Sequence, residues 1–179
     1  AFGTAMQHVG AVTRWFAAIN TQFNPIFGVI NLMRDVQTGM FNLTSTPIAG
    51  MQGRVFADTK SAMIGIWKQI RAERSGTKST DAWAKLYEEF ESVGGPTGYR
   101  QMYESTADRA ADIEKEFRNL SRGKFMESGA AIFGMLSDYN TALENAVRLS
   151  AYKAAKEKFR NLPPEEAKDR AASLAKNLT

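Results

Sequence analysis

The sequence contains no cysteine and a single histidine, His8. The first absence excludes disulfide scaffolds, thiolate metal sites and cysteine nucleophiles, but leaves the compartment open. The second confines any Ser-His-Asp relay to His8, and no Gly-x-Ser-x-Gly elbow accompanies it. A helix-face or capping role suits that histidine better. Also missing is any β-branched alternation long enough for a strand. Gly94-Gly95-Pro96-Thr97-Gly98 is rich in glycine but lacks the Lys-Ser/Thr ending of a phosphate loop and follows no strand, so it reads as a turn.

Charge is scarce in one region. Between Trp15 and Gly53 the only ionised side chains are the adjacent Arg34 and Asp35. A surface helix normally shows a charged face, so this stretch implies a solvent-excluded setting: a protein core, a partner surface or a bilayer. The bilayer is the lesser reading, because Asn20, Thr21, Gln22, Asn24 and Asn31 are embedded in the segment and Pro25 interrupts it. Desolvating those amides in hydrocarbon costs more than the apolar residues return, whereas a protein core can hydrogen-bond each of them.

What is present is helical periodicity. Residues 4–20 suit a helix, and Asn24-Pro25 marks a restart, with Asn as N-cap and Pro at the first helical position. Ile26, Val29, Ile30, Met33, Val36 and Met40 draw one apolar stripe as far as Phe41, and residues 42–47 form a turn. Ile48, Met51, Val55, Ala62, Ile66 and Ile70 draw a second stripe that ends at Ser75-Gly76. These two helices are expected to pack antiparallel as a neutral hairpin. Thr80 is predicted to cap a short helix through Trp83, Leu86, Tyr87 and Phe90, stopped by Val93-Gly94-Gly95-Pro96. Ser105 and Asp108 have capping-box spacing and open a charged helix to about Ser121. A long helix is predicted over Met126 to Arg160, and Leu162-Pro163-Pro164 breaks it before Glu165-Glu166 open another.

Net charge is +4, but its distribution is more telling. Residues 51–80 hold six basic and two acidic side chains, 81–120 five and nine, and 121–179 ten and seven. Arg54, Lys60, Lys68, Arg71, Arg74 and Lys78 are the residues that would track nucleic-acid phosphates. They spread over several helix faces without an interleaved set of stacking aromatics, so a solvated face suits them better. Glu88, Glu89 and Glu91 form an acidic cluster, with Glu88 and Glu91 opposite the core stripe and no second positioned ligand set. No catalytic, cofactor or metal site is expected in this segment. Asn31, Arg34 and Asp35 sit at i, i+3 and i+4 in a neutral setting, so the two charges are expected either to form a buried hydrogen-bonded network with Asn31 or to meet charges from another helix, as a polar layer that fixes register. The sequons at Asn42, Asn119 and Asn177 read as chance occurrences.

Several spaced motifs agree in order with a known family. Asn24-Pro25-x-Phe27, Asn31-Leu32-x-Arg34-Asp35-x-x-Thr38, the Gly-Gly-Pro break, Asp138-Tyr139-Asn140, Glu144-Asn145-Ala146-x-Arg148-Leu149-x-Ala151-Tyr152 and the terminal Ala175-Lys176-Asn177-Leu178-Thr179 resemble an α-helical domain of bacteriophage and mobile-element large polyvalent proteins. The resemblance covers most of residues 12–179. It implies a domain of a very large protein, packaged in a virion or moved with DNA into a recipient cell, and some such giants are internal virion or ejection proteins. It assigns no catalytic residues.

The expectation is therefore an all-α, irregular bundle of six or seven helices, with the neutral hairpin central and the long helix across it. The 179 residues are read as one domain, or as a segment of a longer polypeptide, with a subdivision at 1–76 and 80–179. Expected partners are other virion proteins or copies of itself in an oligomeric assembly, inside the virion and then in the host. The alternative is a nucleic-acid-binding module that contacts DNA.

Overall fold

A computed structural model describes residues 24–96 and 125–179, with side chains in the second stretch described from Gly134 onward. The helices expected at 4–20 and 105–121, along with His8, lie outside the described residues. Those described are all-α: five helices and no strand, against six or seven helices expected for the whole chain. They are α1 (Pro25–Leu43), α2 (Gln52–Arg74), α3 (Ala82–Ser92), α4 (Phe125–Lys158) and α5 (Pro164–Lys176).

The helix ends follow from local chemistry. Asn24 Oδ1 accepts from the Ile26 and Phe27 amides at 3.0 and 3.3 Å, and Pro25, which has no amide hydrogen to lose, takes the first helical position. Asp81, not Thr80, caps α3: its Oδ1 accepts from the Trp83 and Ala84 amides at 2.9 and 3.2 Å. A carboxylate at that position also meets the positive end of the helix, an advantage Thr80 lacks. Gly76 and Gly94 both have φ of +64°, and each closes its helix with the paired bonds of a Schellman turn: Thr77 N to Ala72 O with Gly76 N to Glu73 O, and Gly95 N to Phe90 O with Gly94 N to Glu91 O. Pro164 and Glu165-Glu166 open α5 as the sequence predicts.

The long helix α4 is the hub. α1, α2 and α5 pack on it, α3 packs chiefly on α2 and reaches α4 more lightly, and α1 and α2 scarcely touch each other. The neutral hairpin is therefore not the centre of the fold, and its two helices do not form an antiparallel pair against one another. α2 runs antiparallel to α4, as the ion pairs Arg54–Glu157, Lys153–Asp58 and Arg74–Asp138 show. A single buried cluster joins Leu43, Val55, Ile66, Tyr87, Phe90 and Tyr152 with the alanines of α4 and α5. Each large side chain so enclosed contributes about 1.5–3 kcal/mol of apolar burial.

The face by which α1 docks explains the departure from the expected packing. Its buried residues are Gly28, Asp35, Gly39 and Leu43, whereas Ile26, Val29, Ile30 and Met33 of the predicted core stripe are exposed. Gly28 lies against the Asn140 and Leu143 side chains, and Gly39 against Val147. Two glycines on one face let α1 approach α4 closely, and of the expected stripe Val36 and Met40 pack against the core while its first four members point away. Asn42 Nδ2 then donates to the Leu178 carbonyl at 2.7 Å, tying the end of α1 to the segment after α5.

Gly65 performs the same service between α2 and α3. A Cβ there would overlap that of Trp83 and sit 2.8 Å from the Trp83 carbonyl carbon. Because backbone cannot swing aside as a side-chain tip can, Gly65→Ala is expected to lower stability by about 1–3 kcal/mol net, even though alanine favours helix by roughly 1 kcal/mol. Thermal unfolding of the variant checks this.

Candidate functional site

The charged and polar side chains of α4 form the most organised polar feature of the described residues. Asn140, Glu144 and Arg148 recur at i, i+4 and i+8 and so share the side of the helix that meets α1. Arg148 and Asp35 are both buried. Arg148 Nη1 stands 3.9 Å from Glu144 Oε1, and the Arg148 charge acts on the Asp35 carboxylate across the interface.

The expected network of Asn31, Arg34 and Asp35 is thus assembled differently. Asn31 is half-buried, and the Arg34 side chain is 69% exposed, with its Nη2 3.6 Å from Asp35 Oδ1. The buried guanidinium belongs to Arg148, more than a hundred residues further along the chain. Arg34 follows its own helix geometry: one residue from Asp35 is a turn of about 100°, which carries it off the docked face.

Burial raises the Asp35 carboxyl above its ordinary value of 3.8, with Arg148 and Arg34 drawing it only partly back. Glu144 is raised as well, by burial first, with Arg148 opposing and the Asp35 charge adding to the rise. A carboxyl raised by folding contributes stability fully below its unfolded value, and that contribution is lost as pH rises through the folded value. These two groups should therefore make the chain more stable as pH falls from neutrality toward their ordinary values of 3.8 and 4.5. Asp35→Asn is expected to flatten that part of the profile, read from urea midpoints across the same range.

The acidic cluster on α3 is divided in the structure. Glu88 is exposed, while Glu89 accepts from the Tyr152 hydroxyl at 2.7 Å and pairs with the Lys156 ammonium. Burial pushes the Glu89 carboxyl up, but the Lys156 and Tyr152 hydrogen bonds together outweigh it and hold the group below its ordinary 4.5. Tyr152 moves strongly the other way, through burial first and then its bond to Glu89, so its phenol stays protonated. A carboxylate fixed by an ammonium and a phenol is a brace between α3 and α4, without the raised affinity for a proton that a general acid needs. No group of three or more His, Asp or Glu among the described residues is placed to hold a metal ion.

The basic zone is largely spent in the same way. Arg54 Nη2 meets Glu157 at 2.6 Å, Lys68 Nζ meets Asp81 at 2.6 Å and Arg74 Nη2 meets the buried Asp138 at 2.6 Å. The Arg71 guanidinium lies 5.8 Å from the centre of the Trp67 ring, and Lys60 and Lys78 are exposed. The structure does not gather the six into one stripe. Lys153, outside that set, bridges two helices by pairing with Asp58 at 2.8 Å and lying over the Trp83 ring at 4.4 Å.

Sequence reasoning passed over Arg148, Glu144 and the Glu89–Tyr152–Lys156 cluster as a set. A signal was available for the first: Asn140, Glu144 and Arg148 on one side of a helix whose neighbouring positions are Ala, Leu and Val. The second has none, because it joins residues more than sixty apart. Among the described residues no helix is long and apolar enough to cross a membrane. Comparison of the chain with protein-family models, curated proteins and solved structures gives no match.

Proposed function

We propose that these residues form a non-catalytic structural and interaction module of a large phage polyvalent protein of the internal virion or ejection type, carried in the virion interior and delivered to the host with DNA. The observation that supports the reading most is the fate of Glu89, which is committed to Lys156 and Tyr152 as a clasp between helices. Asp58 and Asp138 are committed likewise, so the ionised groups brace helices on α4. The family resemblance supplies the phage context. The assembling unit is then an irregular bundle of six or seven helices, the five described together with those expected at 4–20 and 105–121, and its partners are other virion proteins or copies of itself.

Mass spectrometry of purified particles of the phage that encodes the chain tests the proposal. The parent protein is expected in the particles, and its absence would remove the virion reading in favour of a replication or conjugation role. The competing nucleic-acid reading is weakened by the carboxylates that face Arg54, Lys68 and Arg74. A phosphate-binding module loses affinity steeply with salt. Filter binding that retains DNA at low salt and releases it at moderate salt would restore that reading, and no retention even at low salt is the expected result.

A further inference from the structure

We propose that α1 pairs with the α1 of a second copy of this chain, antiparallel about a two-fold axis, through the apolar stripe that it turns away from α4. The pairing rests on the reading of these residues as an interaction module and names the surface at which copies meet; the virion setting plays no part in it. The outward face of α1 carries Ile26, Ile30, Met33 and Phe41, which are 69%, 59%, 61% and 77% exposed, with Phe27 and Val29 at 40% on its flanks. By helical geometry this face lies opposite the Gly28, Asp35 and Gly39 face, so α1 can sit on α4 and on a partner at once. Together the six side chains expose on the order of 600 Å² of apolar surface. That is the top of the range for the largest apolar patch of a monomer. Laid on its own copy, the face would bury about 1,200 Å² in all before its rim is counted, which is where specific interfaces begin.

The polar residues of the face say what kind of surface covers it. With Gln37 the stripe steps by four, three, four and four residues, the spacing of a helix seam. Gln37 is exposed in the middle of that stripe. In hydrocarbon its amide would lose water and gain no partner, whereas one polar residue in a helix seam fixes register and orientation. The occupant is therefore protein and not lipid. Asp35, the one acidic residue of α1, lies on the docked side, and Arg34, at the edge of the stripe, is the only charge the outward face shows. A second copy answers this apolar face with the same apolar face, as an isologous contact requires. Running antiparallel, the two helices oppose their dipoles. Ile26 of each copy then meets Phe41 of the other, which joins the two most exposed apolar side chains, and Met33 of each lies near the axis.

Sedimentation of the full chain at about 100 µM is expected to show a dimer that dissociates on dilution, as suits an interface at the small end of the specific range. Ile30→Glu, at an exposed position, is expected to weaken association at least about tenfold by placing a carboxylate in the seam. The dilute variant should unfold at the same temperature as the dilute parent chain, which separates lost pairing from lost fold. Arg34→Gln is expected to tighten association about twofold, because an antiparallel pair brings the two guanidinium groups to one edge near the axis. A monomer at that concentration, a dimer indifferent to Ile30→Glu, or a dimer weakened by Arg34→Gln would each overturn the proposal. A chain that stays monomeric and binds phosphatidylglycerol vesicles would overturn it in favour of a lipid surface. Because the chain has no native cysteine, oxidation reads the direction of the pair. Ile26→Cys chains mixed with Phe41→Cys chains are expected to link at least about tenfold faster than either variant alone, since only the mixed pair comes within about 7 Å between Cα atoms. Faster linking within either variant alone would overturn the antiparallel arrangement.

Discussion

Replacing Arg148 by methionine is expected to destabilise the chain by roughly 3–5 kcal/mol at neutral pH, because it takes from the buried Asp35 the stronger-acting of the two positive charges that offset part of its desolvation. The volume change is small, so the loss is electrostatic rather than a cavity. Glu144 loses the same counterion and is left beside another carboxylate. Arg34→Ala, one residue from Asp35 but largely in water, is expected to stay within about 0.5 kcal/mol of the parent chain. The contrast separates two arginines that sequence proximity would rank in the opposite order, and urea unfolding of the two variants measures it.

Phe90→Ala is expected to cost about 3–5 kcal/mol. Phe90 is fully buried, its ring lies 4.8 Å from that of Tyr152, and Gly95 closes over it with no room for a Cβ. The ring holds α3 to α4 at the point where Glu89 meets Lys156, so its removal leaves a cavity beside a clasp that depends on the same spacing. Phe90→Leu keeps most of the volume and should lose less than about 1.5 kcal/mol. Thermal unfolding in which Phe90→Ala fell within about 1 kcal/mol of the parent chain would mean that α3 is not anchored by this ring.

Much of the fold is legible in the sequence because it is written locally. The Asn24-Pro25 start, the Gly76 and Gly94 stops and the Pro163-Pro164 break act within a few residues, and each appears where its chemistry places it. Packing partners are less legible. Apolar periodicity marks a face that seeks cover but does not say which element covers it, and in α1 a second face was available, built from Gly28, Asp35 and Gly39. Glycine adds nothing to an apolar stripe, so a close-contact interface of this kind leaves no hydrophobic signal. The same limit applied to Asp35. The sequence marks a charge that needs a partner; Arg34 meets it at 3.6 Å from a largely exposed position, while the buried guanidinium that also acts on Asp35 comes from a distant segment.

The ionised side chains of these helices brace α1, α2 and α3 on α4. A double-mutant cycle on Asp35→Asn and Arg148→Met, followed by urea unfolding at neutral pH, measures that bracing at the α1–α4 contact. The expected coupling is at least about 1.5 kcal/mol, with the double variant markedly more stable than the sum of the single losses, since neutralising Asp35 removes the charge that Arg148 serves. Losses that add to within about 0.5 kcal/mol would show two independent residues and contradict the claim.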